Sequence, residues 1–173
     1  LPLGLHTQEW LFLAFLLAFA VKVPMWPVHT WLPDAHTEAP AGGSVVLAAL
    51  MLKLGIYGFL RFSMPITPQA CNQFAWAMIC LSLIAIVYIG LITIVQKDMK
   101  KLIAYSSIAH MGFATLGCFM LYDIVSHMHS WQDAYMSLEG AVIQMYAHAF
   151  GSGAMFLGIV LLSDRFYNLS LLI

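Results

Sequence analysis

Trp10-Leu11-Phe12-Leu13-Ala14-Phe15-Leu16-Leu17-Ala18-Phe19-Ala20-Val21-Lys22-Val23-Pro24-Met25-Trp26-Pro27-Val28 decides the fold of this chain. Its single formal charge is Lys22. The run is close to the length, about 20 residues, at which a helix crosses the hydrocarbon core of a bilayer. It is not alone. Further apolar runs occupy about 43–62, 74–95, 102–121 and 138–162. None keeps the period-two alternation of a membrane β-strand, so helices satisfy the backbone. The reading is an all-α membrane protein, one membrane segment over 1–173 with about five transmembrane helices at about 9–29, 42–62, 72–95, 100–121 and 137–162.

Composition supports that class. Of 173 residues 62% are hydrophobic and 9% charged, against the roughly 25% charged of a soluble domain. The mean hydropathy is +0.86. A formal net charge of −1 excludes bulk attraction to nucleic acid. Cys71, Cys80 and Cys118 are scattered without a CxxC pair, which argues against a disulfide framework, a zinc site or an iron–sulfur site. The chain opens Leu1-Pro2-Leu3 with no Arg or Lys before Lys22, unlike a secretory signal. The first span starts almost at once and little follows the last, so a segment of a longer subunit is expected.

The connections set orientation. Pro33-Asp34-Ala35-His36-Thr37-Glu38-Ala39-Pro40 joins the first two spans, and Ser63-Met64-Pro65-Ile66-Thr67-Pro68 the next two. A basic turn, Gln96-Lys97-Asp98-Met99-Lys100-Lys101, joins the third to the fourth. A polar loop with Asp123, His127, His129 and Asp133 is expected before the fifth. The three lysines place their turn on the inside under the positive-inside rule. The loop 33–40 and Arg165 then share that side, and Arg61 is an outside exception.

Polar residues inside spans are the functional signal. A lysine at mid-bilayer costs about 2.5–3.5 kcal/mol on insertion scales. Lys53 lies about ten residues into the second span. Lys22 lies about twelve into the first, immediately before Pro24 and Pro27. Proline removes a helix hydrogen bond, so the first span should break near Lys22-Val23-Pro24. The carbonyls at such a break form a negative dipole end able to hold a cation. The competing readings are a lysine reaching the interface and a plain proline kink. His110 shares part of a face with Ser106 and Ser107. His148 forms a polar stripe with Gln144 and Ser152. Histidine titrates near neutrality and suits proton relay, although a lone membrane histidine is as readily a packed, hydrogen-bonded one. A bis-histidine haem site would want a second matched pair. Gly151, Gly153 and Ala154 suit close helix packing, and Asn168-Leu169-Ser170 matches a glycosylation sequon by chance on an inside face. No Gly-rich phosphate loop, nucleophile elbow or paired-carboxylate site is present.

The stretch from Lys22 through Trp31-Leu32-Pro33-Asp34-Ala35-His36-Thr37-Glu38-Ala39-Pro40 resembles a signature of the antiporter-like proton-pumping membrane subunits of respiratory complex I. The likeness continues through Leu52-Lys53-Leu54-Gly55-Ile56-Tyr57-Gly58 and from Gln96 to Gly112. It also extends to cation/proton antiporter and membrane-bound hydrogenase subunits. The resemblance implies a fourteen-helix fold with two inverted five-helix repeats, of which this chain would hold helices seven to eleven. It implies that Lys22 and Lys53 match the lysines of the broken seventh helix and the eighth. His110 and His148 would match polar positions on the tenth and eleventh, along one hydrophilic axis. The fifth-helix glutamate and the twelfth-helix lysine or glutamate of the family are not in this chain. The expectation is a proton-translocating part of an NADH:quinone reductase, with Lys22, Lys53, His110 and His148 transferring protons. No cofactor or metal is expected on this chain. FMN, iron–sulfur clusters and quinone would belong to partner subunits of the membrane and redox arms. The setting would be a mitochondrial inner membrane or a bacterial plasma membrane. Alternatives are a sodium/proton antiporter subunit and a structural scaffold.

Overall fold

The structure, a computed structural model, describes the backbone of residues 3–170, and the side chains of that stretch apart from Ala41 and 163–170. Arg165 and the sequon at Asn168 lie outside the residues whose side chains are described. The described residues are helical with turns between and no strand. The helices are α1 (Leu5–Lys22), α2 (Trp31–Glu38), α3 (Gly42–Ile66), α4 (Pro68–Ile94), α5 (Met99–Met128) and α6 (Trp131–Ser170). Four of them are long and apolar enough to cross a membrane: α3, α4, α5 and α6 as far as Leu162. α1 has 18 residues, about 27 Å at the helical rise, with Glu9 near its start and Lys22 at its end.

The break falls where the prolines require it. α1 stops at Lys22, and residues 23–30 run in turns until α2. Val23 N–H donates to the Phe19 carbonyl at 2.8 Å and Met25 N–H to the Ala20 carbonyl at 2.9 Å. Pro24 and Pro27 have no N–H with which to extend the ladder. The expected loop 33–40 is therefore mostly helix, and α2 is the second half of a broken element. Its ends are tied to α5: Lys101 Nζ lies 3.3 Å from Asp34 Oδ1, and Lys100 Nζ donates to the Thr37 carbonyl at 3.4 Å.

The expected polar loop around Asp123 is a correction. α5 continues to Met128, so Asp123 and His127 are helical and pair one turn apart at 3.6 Å. The helix ends at His129, whose φ of 52° is left-handed and cannot continue it. At the other end of α5, Asp98 accepts from Lys100 N–H at 2.9 Å, an N-cap that satisfies one of the orphan donors.

Close packing uses small residues where backbones approach. A Cβ at Gly55 would stand 2.4 Å from Val23 Cγ2, and one at Gly58 2.4 Å from the Phe19 ring, so α1 and α3 touch through these glycines. A Cβ at Gly117 of α5 would stand 2.8 Å from the Ser137 carbonyl of α6. The core is aromatic: Phe12 stacks on Phe74 at 5.2 Å, and Phe59 meets Phe119 edge-on at 5.6 Å. Many large apolar side chains face outward, among them Leu17, Trp76, Val87, Ile94 and Phe150. Such a surface suits lipid or neighbouring apolar helices rather than water.

Candidate functional site

The site lies where α3, α5 and α6 meet. α3 carries a π-helical turn over Leu47–Met51, immediately before Lys53. Such widened turns recur at functional sites because they displace backbone groups from the regular ladder. Lys53 reaches back along its own helix and donates to the Ala48 carbonyl at 2.6 Å. Its ammonium also lies 2.6 Å from Nδ1 of His148 on α6. An ammonium only donates, so Nδ1 is the acceptor and the hydrogen of neutral His148 is on Nε2. Ser152, one turn later, donates to the His148 carbonyl at 2.6 Å. That bond is to the backbone, so the imidazole of His148 is held by Lys53 rather than by its own stripe.

His148 leads on to His110 of α5, the ring centroids standing 5.6 Å apart. Gln144 Nε2 donates to His110 Nδ1 at 3.1 Å. Three of the four predicted residues thus join in one line, Lys53 to His148 to His110, with Gln144 at its end. The sequence alone did not give this order, in which His148 stands between the other two. His148 is buried, Lys53 half-buried and His110 exposed on this segment. Lys53 borders a groove of about 480 Å³ between α3 and α6, walled by Leu50, Tyr57, Met145, Tyr146 and Phe150.

Lys22 stands apart. It is exposed at the end of α1, and its ammonium makes no hydrogen bond among the described residues. Its Cβ lies 3.1 Å from where a Cβ of Gly55 would be. Gly55 is two residues from Lys53, about 200° around the helix. The two lysines therefore address different faces of α3. As a cation at a helix C-terminus, Lys22 is favoured by the dipole of α1.

A further polar group was missed by sequence reasoning. His36 of α2 is fully buried, and among the described residues neither ring nitrogen has a hydrogen-bond partner. Its ring stacks on Phe156 of α6 at 4.5 Å, with 20° between planes. The signal was available: Leu32, Pro33 and His36 form the buried face of α2, a spacing of one helical turn. Among the described residues no cluster of three or more His, Cys, Asp or Glu could hold a metal ion.

With this geometry in view, comparison with known proteins is specific. The family model described as NADH:quinone oxidoreductase/Mrp antiporter, transmembrane, matches residues 3–171. NADH-quinone oxidoreductase subunit M of Rhodobacter capsulatus is 51% identical over 161 residues, covering 93% of this chain and 29% of that protein. NADH-ubiquinone oxidoreductase chain 4 of Metridium senile is 48% identical over 168 residues, covering 97% of this chain and 32% of that protein. A chain of respiratory complex I from Thermus thermophilus with bound NADH superposes with a TM-score of 0.76 at 33% identity, over 96% of this chain and 32% of that one. The chain thus spans about a third of the length of the relatives it matches. It belongs to the NADH:quinone oxidoreductase/Mrp antiporter transmembrane family.

Proposed function

We propose that this chain is the central part of a proton-translocating membrane subunit of NADH:quinone oxidoreductase, of the kind called subunit M or chain 4. The observation that carries the reading is the contact of Lys53 with His148, continued to His110. A lysine costly to bury is given two acceptors, and one of them, His148, is itself titratable and stands beside a second histidine.

The line can move protons by ordinary imidazole chemistry. Lys53 Nζ donates to His148 Nδ1. Transfer of that proton leaves a neutral amine and an imidazolium, which releases the Nε2 proton toward His110 and returns to neutral; His110 takes the proton at Nδ1 once the Gln144 amide has turned away from that nitrogen. A second proton on the pair would set two like charges 2.6 Å apart, so protons pass singly. Lys22, on another face of α3, would reach Lys53 through water or through groups outside this segment. The energy would come from electron transfer in partner subunits that hold FMN, iron–sulfur clusters and quinone. The remaining helices, the other membrane-arm subunits and the lipid of a bacterial plasma membrane or mitochondrial inner membrane complete the setting. The enzyme is the assembled translocase, and no redox step falls on this chain.

The test is the assembled complex in proteoliposomes. Lys53→Met is expected to remove this subunit's share of protons pumped per NADH oxidised. Lys22→Met should do the same. Parental pumping and quinone reduction in both variants would refute the reading. The family description also names Mrp antiporters. A sodium requirement for transport in the same vesicles would favour that second reading.

A further inference from the structure

We propose that His36 is the relay residue through which protons reach the Lys53–His148 pair from the side of the membrane bearing Lys97, Lys100 and Lys101. The inference rests on the translocation reading above and adds the side of uptake and the residue that performs it.

Burial and hydrogen bonding come first. His36 is 0% exposed, and both Nδ1 and Nε2 lack a partner among the described residues. Leaving a polar atom buried and unsatisfied costs about 1–3 kcal/mol. The stack on Phe156 does not require that cost, because a phenylalanine or leucine would fill the same place without polar atoms. Two ring nitrogens at a sealed position are what a histidine supplies when it takes a proton at one and releases it from the other.

Position comes second. α2 lies outside the spans, held to the start of α5 by the Lys101–Asp34 pair and the Lys100–Thr37 bond. Ser44 Oγ donates to the His36 carbonyl at 3.2 Å, which fixes the residue against the start of α3. Its ring stacks on Phe156, which forms one buried cluster with Ala48 and Ile103. Ala48 is the residue whose carbonyl accepts from Lys53. Phe156 is two turns along α6 from His148, about 12 Å, and Ser152 sits halfway. His36 is therefore separated from the pair by Phe156, on which it stacks, and by the cluster that Phe156 shares with Ala48. A cluster of this kind passes protons only when water enters it, so the histidine serves as the outer stop of a gated step.

The charges around His36 set its resting state. Burial, and after it the Lys100 ammonium, pulls its pKa down to about 4, so it rests neutral and holds a proton only in passing. α2 itself contributes Asp34, taken up by Lys101, and the exposed Glu38. α5 contributes Lys100 and Lys101, and α3 contributes Ser44. From α6 the ring of Phe156 covers it.

The experiment uses the assembled complex in proteoliposomes, driven by NADH and a soluble quinone, with an entrapped pH dye. His36→Phe keeps the stack and removes both nitrogens. His36→Gln keeps polar atoms but carries no proton. A structural role would be rescued by one of the two. The relay role predicts that both assemble and that both lose this subunit's share of protons per NADH. Parental pumping in either variant overturns the inference. Lys53→Met, run beside them, separates the failures. If it loses pumping while His36→Phe does not, the uptake residue is wrong and the translocation reading stands. If it too pumps as the parent does, the reading itself fails.

Discussion

Lys22 and Lys53 are the same residue type on neighbouring helices, and the fold treats them in opposite ways. Lys53 is given its partners by the chain itself: the Ala48 carbonyl, displaced at a π-helical turn, and His148 across the α3–α6 seam. Lys22 is given a helix end and a close neighbour in Gly55, with no hydrogen bond from its ammonium among the described residues. The insertion cost of a lysine is similar wherever it sits at depth. What differs is who offsets it. Within this segment Lys53 is complete, and Lys22 is left for water or for groups the segment does not contain.

The largest effect that would break this comparison is at the complete site. His148→Leu leaves the Lys53 ammonium with the Ala48 carbonyl as its one remaining partner. The expected destabilisation is about 2–3 kcal/mol, the scale of a hydrogen bond to a charged group. Lys53→Met in the same background should recover most of it, and a double-mutant cycle in detergent measures the coupling. Additive single effects would mean that the contact does not hold the seam.

A smaller effect tests the incomplete site. Gly55→Ala brings a Cβ to 2.4 Å from Val23 Cγ2 and 3.1 Å from Lys22 Cβ. The end of α1 must then shift, at a cost of about 1–3 kcal/mol for overpacking. Because the shift moves Lys22 and leaves the opposite face of α3 alone, the Lys53–His148 coupling energy should stay as in the parent. A change in that coupling would show that the two lysines are not as separate as their faces imply.

Much of this architecture was legible in the residues. The break after Lys22 follows from two prolines, which no helix ladder tolerates. The spans follow from apolar runs of sufficient length, and His110 and His148 from polar stripes. Three features were not legible. Asp123 and His127 read as loop because they are polar, yet they lie one helical turn apart on the exposed side of α5. The order Lys53–His148–His110 depends on how α5 and α6 rotate against α3, which spacing along one helix does not contain. His36 was hidden by its setting between prolines, in a stretch read as a connection. Only the docking of α2 onto α5 turned that stretch into a buried face.

The docking of α2 gives a pH-dependent contrast. His36 has its pKa lowered from 6.5 to about 4 in the folded chain. The unfolded or undocked state therefore binds the proton more readily. The contribution of this group to stability is full above about 6.5 and is lost as pH falls toward 4. Hydrogen exchange on α2 should quicken across that window, and His36→Phe should remove the dependence. Exchange at the Lys53 seam should not follow the same curve.

The smallest expected stability effect is at Lys22, and it discriminates most. Nothing described in this segment hydrogen-bonds to its ammonium, so Lys22→Met removes a favourable helix-end charge, about 0.3–1 kcal/mol. It also removes an exposed cation from an apolar setting, which offsets that loss. Stability of the isolated segment in detergent should thus change by less than about 0.5 kcal/mol, the usual range for a site without packed partners. Pumping by the whole complex should nevertheless fall as far as it does for Lys53→Met. A residue that matters little to its own segment and fully to transport is one whose partners arrive from elsewhere. If Lys22→Met instead destabilised the segment as strongly as His148→Leu, Lys22 would already be bonded within it, and the contrast between the two lysines would collapse.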